Sequence, residues 1–153
     1  MTAYKRPVSV LVVIHTPELE ILLLERALHA GYWQSVTGSQ EGDETLIATA
    51  AREVEEETGI VASPCEFCDW QLSNTFEIFP EWRHRYAPGV THNTEHVFSL
   101  PIATPQPVTL APDEHVNSLW LPWREAAAKC FSWTNRDAIL MLPQKLTRQL
   151  AAR

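Results

Sequence analysis

Two short runs of hydrophobic residues near the start of the chain, Val8–Ile14 and Ile21–Leu24, are separated by a polar segment that contains a proline. Runs of this length, bounded by turn residues, predict two β-strands. Neither run alternates with polar residues, so both strands are expected to be buried on both faces. Three later segments also have strand-like composition, Phe76–Phe79, Glu95–Leu100 and Asn117–Leu121. Five strands are therefore predicted.

The pattern becomes helical over Asp43–Thr58, where apolar residues recur three, four and seven positions apart. Asp43 is the expected N-cap of this helix. Gly59 followed by Ile60 suits a left-handed stop with its hydrophobic contact. Both ends of the helix are therefore marked in the sequence.

Two further helices are predicted near the end of the chain, over Trp123–Cys130 and Thr134–Leu150. Thr134, with Asp137 three residues later, is expected to open the second helix, and Pro143 is expected to kink or break it. Strands and helices thus alternate along the chain, which indicates an α/β layered fold.

Composition restricts the classes of protein to which the chain can belong. Its 153 residues, 45% of them hydrophobic, favour a single domain over residues 1–153. No apolar run approaches the roughly 20 residues of a membrane-spanning helix, so no membrane partner is expected. The net charge of −7 disfavours binding to a nucleic acid polymer. Three cysteines exclude a fully paired disulfide framework and indicate a reducing compartment, hence a cytoplasmic location.

Glutamates crowd the C-terminal half of the first predicted helix. Glu53, Glu56 and Glu57 stand at i, i+3 and i+4 and therefore share one side of the helix, with Glu55 nearby. Like charges at this spacing repel, and the helix dipole disfavours anions at this end. Arg52 can offset one of the charges. The cluster is either a solvated charged face or a site for a divalent cation, which clustered carboxylates bind.

The residues that surround this cluster favour the second interpretation. Gly38, Glu44 and the run Arg-Glu-Val-Glu-Glu-Glu-Thr-Gly-Ile over residues 52–60 match every fixed position of the Nudix box, a loop–helix–loop motif that here spans residues 38–60. By this resemblance the sequence is identified as a member of the Nudix hydrolase family. The resemblance implies an α/β/α sandwich around a mixed β-sheet and hydrolysis of a diphosphate linked to another moiety.

The resemblance also implies a metal-dependent mechanism. Glu53 and Glu57 would ligate Mg²⁺, for which Mn²⁺ can substitute, and Glu56 would ligate the metal or act as the base. Arg52 would orient these glutamates, unless it forms an ordinary surface salt bridge. A bound cation would polarise the attacked phosphoryl group and lower the pKa of a bound water.

Two loops are expected to complete the metal site. The loop from Gly38 to Gly42 would bring backbone groups close to the metal and the phosphates, since missing side chains permit a close approach. Many Nudix enzymes take a further acidic ligand from a loop, and Glu114 is the expected one here. Asp113 or a merely solvated turn are the alternatives.

Sequence blocks outside the box resemble a branch of the family that converts a pterin triphosphate to the monophosphate and pyrophosphate in folate biosynthesis. These blocks are Tyr4–Ile14, Trp33–Ser39, Phe76–Phe79 and Arg83–Thr91. A pocket that stacks a pterin can also accept a purine, so hydrolysis of a nucleoside triphosphate such as dATP is an alternative. A non-catalytic module that senses nucleotides is a further alternative, which the intact glutamates disfavour. The pattern leaves open whether the chain is a monomer or a homodimer.

The same resemblance implies a set of substrate contacts. Lys5 and Arg26 would bind phosphate through their charge and Thr37 through its hydroxyl, although each could be an ordinary surface or structural group. Residues 76–79 would form a wall for the flat pterin, with Glu77 accepting hydrogen bonds from its N–H groups, or would be a plain core strand. Ser132 would contact substrate or only cap a helix, and Trp33 is the one tryptophan expected near the substrate. The candidate contacts are Lys5, Arg26, Thr37, Gly38, Phe76, Glu77, Ile78, Phe79 and Ser132.

Overall fold

A computed structural model describes the backbone of residues 3–151 and the side chains of residues 3–147. The strands are Val8–His15 (β1), Glu20–Arg26 (β2), Trp33–Gln34 (β3), Val36–Ser39 (β4), Cys68–Glu77 (β5), His92–Pro101 (β6) and His115–Pro122 (β7). The α-helices are Leu46–Thr58 (α1), Trp123–Lys129 (α2) and Trp133–Ala151 (α3). Short 3-10 helices cover Pro64–Glu66 and Pro80–Arg85.

The strands form one mixed sheet in the order β3-β2-β1-β6-β5, with β4 paired to β1 and β7 paired to β2. β1 and β6 run parallel along their whole length, and the other pairs are antiparallel. β1 is buried from its second residue to its end. The predicted burial of this strand on both faces is therefore confirmed.

Alternate residues of β1 enter two separate cores. Leu11 packs with Ile139 and Leu142 of α3 on one face of the sheet. Val12 packs with Val54 of α1 on the other face. Because side chains alternate across a strand, a single apolar run supplies both cores. The predicted α/β/α sandwich around a mixed sheet is confirmed.

Helix α1 begins later than the sequence predicts. Thr45, not Asp43, is the N-cap, because the Thr45 hydroxyl accepts a hydrogen bond from the backbone N–H of Ala48 at 3.2 Å. Asp43 lies in the turn before the helix. The predicted stop is confirmed: Gly59 has a φ of 77° and donates its backbone N–H to the carbonyl of Glu55 at 2.9 Å.

The predicted break of the last helix at Pro143 is wrong, since α3 continues through it. A proline in a helix interior removes a hydrogen bond and costs about 3 kcal/mol. Leu142 and Leu146, on either side of Pro143, both pack into the core that α3 shares with β1. Burial of Leu142, which is fully buried and therefore worth about 1.5–3 kcal/mol, together with the partial burial of Leu146, offsets the loss.

The start of α3 also differs from the prediction. The helix begins at Trp133, so Thr134 is already a helical residue. The hydroxyl of Ser132 accepts from the backbone N–H of Asn135 at 3.4 Å and from its Nδ2 at 2.7 Å. Ser132 therefore takes the capping role that the sequence assigns to Thr134. Asp137 instead pairs with a neighbouring arginine on the surface.

The strand predicted at Phe76–Phe79 is only the end of the longer strand β5, which stops at Glu77. Ile78 and Phe79 lead into the 3-10 helix that opens at Pro80. Proline has no N–H to donate and commonly opens such a turn. The other predicted strands and the helix at 123–130 are confirmed to within three residues at each end.

All three cysteines are free. Among the described residues, no helix combines the length and the apolarity needed to cross a bilayer.

Candidate active site

The side chain of Glu53 on helix α1 lies directly over Gly38 of β4, so any side chain at position 38 would displace it. A Cβ atom there would lie 2.0 Å from Cδ of Glu53, which real atoms do not tolerate. Gly38 and Ser39 belong to β4, so the predicted loop from Gly38 to Gly42 is in part strand. The absence of a side chain brings Glu53 over the strand and turns its carboxyl inward, where it is 8% exposed.

Arg52 binds four groups around this helix. Its guanidinium donates to both carboxylate oxygens of Glu44, at 2.7 and 3.1 Å, and to the carbonyl of Ser39 at 2.9 Å. It also donates to Glu53 at 2.8 Å and to Glu56 at 3.2 Å. These hydrogen bonds hold the pKa of Glu44 at about 2 and raise the pKa of Arg52. Arg52 therefore links the last residue of β4, the segment before α1 and two glutamates of the box.

The carboxyl groups of Glu53 and Glu57 are both buried, which disfavours their negative charge. Burial raises the pKa of both carboxyl groups, and for Glu57 the neighbouring Glu53 and Glu114 raise it further. Glu57 is 1% exposed, and its Oε1 has no hydrogen-bond partner among the described residues. Ligand atoms of Glu57, Glu114 and His115 lie within 4.8 Å of one another. An orphaned, buried carboxylate oxygen among further acids fits a divalent cation, which prefers such ligands.

His115 lies beside this carboxylate and adds no positive charge. Gln34 accepts from Arg26 at 3.2 Å, so its amide nitrogen faces Thr37 and Nε2 of His115, each at 3.3 Å. Nε2 therefore accepts, and the hydrogen of the neutral ring lies on Nδ1, 3.8 Å from Oε1 of Glu57. Burial and the charge of Arg26 lower the pKa of His115 to about 4. The ring is thus neutral at pH 7, with its N–H toward Glu57.

Three cations lie near this acidic group in the same cleft. The backbone N–H of Lys5 donates to the carbonyl of Arg85 at 2.8 Å, and the guanidinium of Arg26 lies 4.6 Å from the centre of the Trp82 ring. Burial lowers the pKa of Lys5 and of Arg26, and the charge of Arg85 lowers both further. The cations therefore repel one another, and an anion bound between them would relieve the repulsion.

The cleft that holds these groups has a volume of about 1330 Å³. Aromatic side chains from two elements form one wall of it. The ring of Phe79 lies 5.0 Å from that of Trp82, and the ring of Phe131 lies 6.3 Å from each of them. Such a volume suits a drug-sized or nucleotide-sized ligand, and the rings provide a surface on which a flat heterocycle can stack.

Buried polar residues line another part of the cleft. Asn93 donates from Nδ2 to the hydroxyl of Ser9 at 2.8 Å. Glu95 is 4% exposed, and burial raises its pKa to about 7, an effect that the hydroxyl of Thr134 partly offsets. Oδ1 of Asn93 and Oε1 of Glu95 have no hydrogen-bond partner within the described part of the chain. This part of the cleft therefore presents two unused acceptors.

All nine substrate contacts expected from the sequence line this cleft. They differ in what they can still bind. The carboxylate of Glu77 is paired with the guanidinium of Arg83, and its side chain is 68% exposed. Ser132 lines the cleft and caps α3 at the same time. Glu56, Glu57, Asp113 and Glu114 line it as well.

Trp33 does not reach the substrate region. It is 8% exposed and packs in the core beneath α2 and α3, with the ammonium of Lys129 at 5.1 Å from its ring centre. The short strand β3, which the sequence pattern does not reveal, turns the indole inward, away from the residues that line the cleft.

Several cleft residues are absent from the sequence-based set, among them Trp82, Arg85, Glu95, His115 and Phe131. Glu95 had a visible signal, because it is a charged residue at the start of a strand-like apolar run. His115 directly follows the predicted ligand Glu114. Trp82 and Phe131 are ordinary aromatic residues in sequence, and only the fold places them on one wall.

A buried acidic helix and a cluster of cations that face one cleft of an α/β/α sandwich define a class of enzymes, the phosphoanhydride hydrolases that use divalent metals. A family model described as the NUDIX domain matches residues 5–142, and the chain belongs to this family. Nudix hydrolases generally use divalent metals.

Individual relatives agree with this assignment. The chain is 48% identical over 139 residues to the dihydroneopterin triphosphate diphosphatase of Escherichia coli (strain K12), covering 89% of this chain and 91% of the relative. It is 39% identical over 142 residues to the enzyme of the same name from Haemophilus influenzae, covering 91% and 89%. The solved structure of the E. coli dihydroneopterin triphosphate pyrophosphohydrolase superposes with a TM-score of 0.83 at 45% identity, covering 90% of this chain and 94% of that one.

Proposed function

We propose that the protein hydrolyses dihydroneopterin triphosphate to dihydroneopterin monophosphate and pyrophosphate, a step of folate biosynthesis. The observation that carries the proposal is that one cleft joins the box glutamates, three cations and an aromatic wall. The identity of 48% to a diphosphatase of this name over most of both chains supports the choice of substrate. The proposal includes a cytoplasmic location, which the three free cysteines support.

Mg²⁺ is the proposed cofactor, with Mn²⁺ as a substitute. Glu53, Glu57 and Glu114 would hold it, and Glu56 borders the same space. When bound, a divalent cation neutralises phosphate charge, polarises the attacked phosphoryl group and makes hydroxide available near neutral pH. The raised pKa of Glu53 and of Glu57 supports this choice, because an added positive charge stabilises both carboxylates.

The protein's own groups position the triphosphate. Lys5, Arg26 and Arg85 provide the opposite charge, and their mutual repulsion makes an anionic ligand favourable. The hydroxyl of Thr37 and the bare backbone at Gly38 lie at the junction between these cations and α1. In-line attack requires that the phosphorus and the water be held rigidly, and the hydrogen bonds of Arg52 to Glu44, Glu53 and Glu56 support that rigidity.

Glu56 is the proposed proton acceptor for the attacking water. Its side chain is 54% exposed, whereas Glu53 and Glu57 are buried. It lines the cleft and is bound by Arg52 at 3.2 Å. Arg52 is the proposed positioning residue, since it contacts Glu53 and Glu56 but does not itself line the cleft.

Hydrolysis of dATP is the second candidate function. The aromatic wall of Phe79, Trp82 and Phe131 offers stacking, which every flat base can use. A sensing module without activity is disfavoured, because the four acidic groups of the proposed metal site are all present at the cleft.

A direct assay tests the proposal. Purified protein is incubated with dihydroneopterin triphosphate and Mg²⁺, and pyrophosphate and the monophosphate are quantified. We expect both products in equal amounts and no inorganic phosphate. The same assay with dATP gives the competing kcat/KM. Absence of pyrophosphate release from the pterin substrate would reject the assignment, and a higher kcat/KM for dATP would favour the second candidate.

A further inference from the structure

The cleft contains one carboxyl group that the hydrolytic machinery does not use. Glu95 lies on β6, is 4% exposed and borders the cleft, yet its Oε1 has no hydrogen-bond partner among residues 3–151. None of the ion pairs found in the described chain involves it. A buried acceptor without a donor costs about 1–3 kcal/mol. A ligand that brings N–H donors would remove this cost.

The strand register places this carboxyl group beside a stacking surface. Phe76 of β5 is directly opposite Asn93 of β6, and Asn74 is opposite Glu95. Directly opposed residues of antiparallel strands point to the same face, and diagonal neighbours are within reach of an aromatic ring. Phe76, Asn93 and Glu95 therefore share one face of the sheet, and all three line the cleft.

The acceptors on this face come as a pair. Asn93 uses its Nδ2 to bind Ser9 at 2.8 Å, which leaves its Oδ1 as a second acceptor without a partner in the described chain. Thr134 contributes a hydroxyl to Glu95. The face thus presents two acceptors without a partner in the described chain, Oδ1 of Asn93 and Oε1 of Glu95.

We propose that Glu95 is the specificity-determining residue for the heterocycle, and that its carboxylate accepts two hydrogen bonds from the 2-amino group and the adjacent ring N–H of the pterin. Oδ1 of Asn93 accepts the second amino hydrogen. The inference rests on the proposed function. It assigns recognition of the pterin N–H groups to Glu95 instead of Glu77. Glu77 is mostly exposed and already paired with Arg83, whereas Glu95 is buried and unpaired.

The arrangement predicts which triphosphates the enzyme prefers. Pterin and guanine both present an amino group next to a ring N–H, and an ionised carboxylate matches two such donors. Adenine presents one donor and one acceptor, and a carboxylate matches only the donor. A glutamine, with one acceptor and one donor, instead matches adenine. Selectivity therefore depends on the charge state and the atoms of this one side chain.

The first test is Glu95→Gln, assayed well above pH 7 so that the wild-type carboxylate is ionised. We expect kcat/KM for dihydroneopterin triphosphate to fall by about 10- to 100-fold, the range for one mismatched bidentate pair. The value for dATP should be unchanged or higher, so that the ratio of the two shifts toward dATP. A loss that is equal for both substrates, or an unchanged ratio, would overturn the inference.

Two further variants isolate the effect. Glu125→Gln makes the same chemical change on the exposed surface of α2, outside the cleft, and should leave the ratio unchanged. Glu77→Gln tests the competing carboxylate. If the ratio shifts in Glu77→Gln and not in Glu95→Gln, the recognition lies at Glu77 and the inference fails.

A measurement on the wild-type protein avoids any dependence on folding of a variant. dGTP and dITP differ only in the 2-amino group, so we expect kcat/KM for dGTP to exceed that for dITP by about 10-fold or more. Equal values would contradict a role for the amino group. If the wild type does not hydrolyse the pterin substrate, the proposed function fails. If it does, but kcat/KM is equal for dGTP and dITP and Glu95→Gln leaves the preference for the pterin over dATP unchanged, only the role of Glu95 fails.

Discussion

The side chain of Glu53 occupies the space that a Cβ atom at position 38 would need, with Cδ at 2.0 Å from that point. Gly38 thus makes room for the side chain of Glu53, a ligand of the proposed metal site, rather than serving as a flexible hinge. Because Arg52 also holds Glu53 at 2.8 Å, the carboxyl cannot move aside without breaking an ion pair.

Replacing this glycine should therefore lower both activity and stability. In Gly38→Ala, we expect the methyl group to displace Glu53 and to lower kcat/KM by about 100-fold, as misplacement of a catalytic group by about 1 Å does. Overpacking should lower the unfolding free energy by about 1–3 kcal/mol. Steady-state kinetics and urea denaturation measure the two effects. Gly89→Ala is the control: it lies in a turn with open space around it and should cost stability but not kcat/KM.

Glu57→Gln should separate catalysis from folding. The variant keeps the shape of the side chain but removes a buried negative charge that has Glu53 and Glu114 as neighbours. We expect kcat to fall by at least about 100-fold, while the melting temperature of the metal-free protein stays equal or rises. Glu55→Gln, on the exposed side of the same helix, should be close to wild type in both measurements. Wild-type turnover in Glu57→Gln would disprove the metal assignment.

Mg²⁺ should stabilise the native protein. A ligand that binds only the folded state adds about 2.7 kcal/mol at 100 times its Kd, so thermal scans should show a midpoint that rises with Mg²⁺ concentration. The rise should be absent or much smaller in Glu57→Gln and intact in Glu55→Gln. Identical midpoints with Mg²⁺ and with EDTA in the wild type would count against the cation site.

Arg52→Lys tests the role of the fork-shaped guanidinium. A lysine cannot bind both oxygens of Glu44 and reach Glu53, Glu56 and the Ser39 carbonyl at once. We expect kcat to fall by about 10- to 100-fold, the usual effect of losing a group that orients metal ligands, with a smaller change in KM. Arg136→Lys alters an exposed arginine that pairs with Asp137 at 3.0 Å and serves as the control. A change confined to KM would instead assign Arg52 to substrate binding.

Glu95 should make stability depend on pH. Its pKa is about 7 in the folded protein against 4.5 for a free glutamate, so the folded state binds the proton more tightly. The wild type therefore loses stability relative to Glu95→Gln as pH rises from 4.5 to 7, by on the order of 3 kcal/mol. Urea denaturation of both proteins across this range measures the difference. The difference in unfolding free energy between wild type and Glu125→Gln should not change with pH. If the difference between wild type and Glu95→Gln did not change either, the prediction would be contradicted.

The acidic half of the site could be predicted from sequence because its geometry is local. Glu53 and Glu57 lie one helical turn apart, and the helix itself ensures that they share a face. The error in the cap had a local cause too: Asp43 and Thr45 are both good N-caps, and only the hydrogen bond to Ala48 distinguishes them.

The residues proposed to bind the heterocycle could be predicted only in part: the family resemblance implies Phe76, whereas Glu95 and Phe131 meet it only through strand pairing and helix packing. Phe76, Glu95 and Phe131 come from β5, β6 and the segment before α3. The alternation that would reveal β5 is present from Trp70 to Phe76. The register of the pairing with β6 shifts between Asp69 and Ser73, where Gln71 has a φ of 53°, so the alternation alone does not give the pairing of β5.

The central strand β1 fixes the relative positions of the strands on its two sides. Ser9 is in register with Glu95 on one side, and the next residue, Val10, is in register with Gly38 on the other. The residue proposed to bind the heterocycle and the glycine that packs against the proposed metal ligand Glu53 are thus paired with consecutive residues of one buried strand. If both proposals hold, the backbone sets the distance between the heterocycle and the hydrolysed bond, and the length of the polyphosphate would affect hydrolysis as well as the identity of the ring.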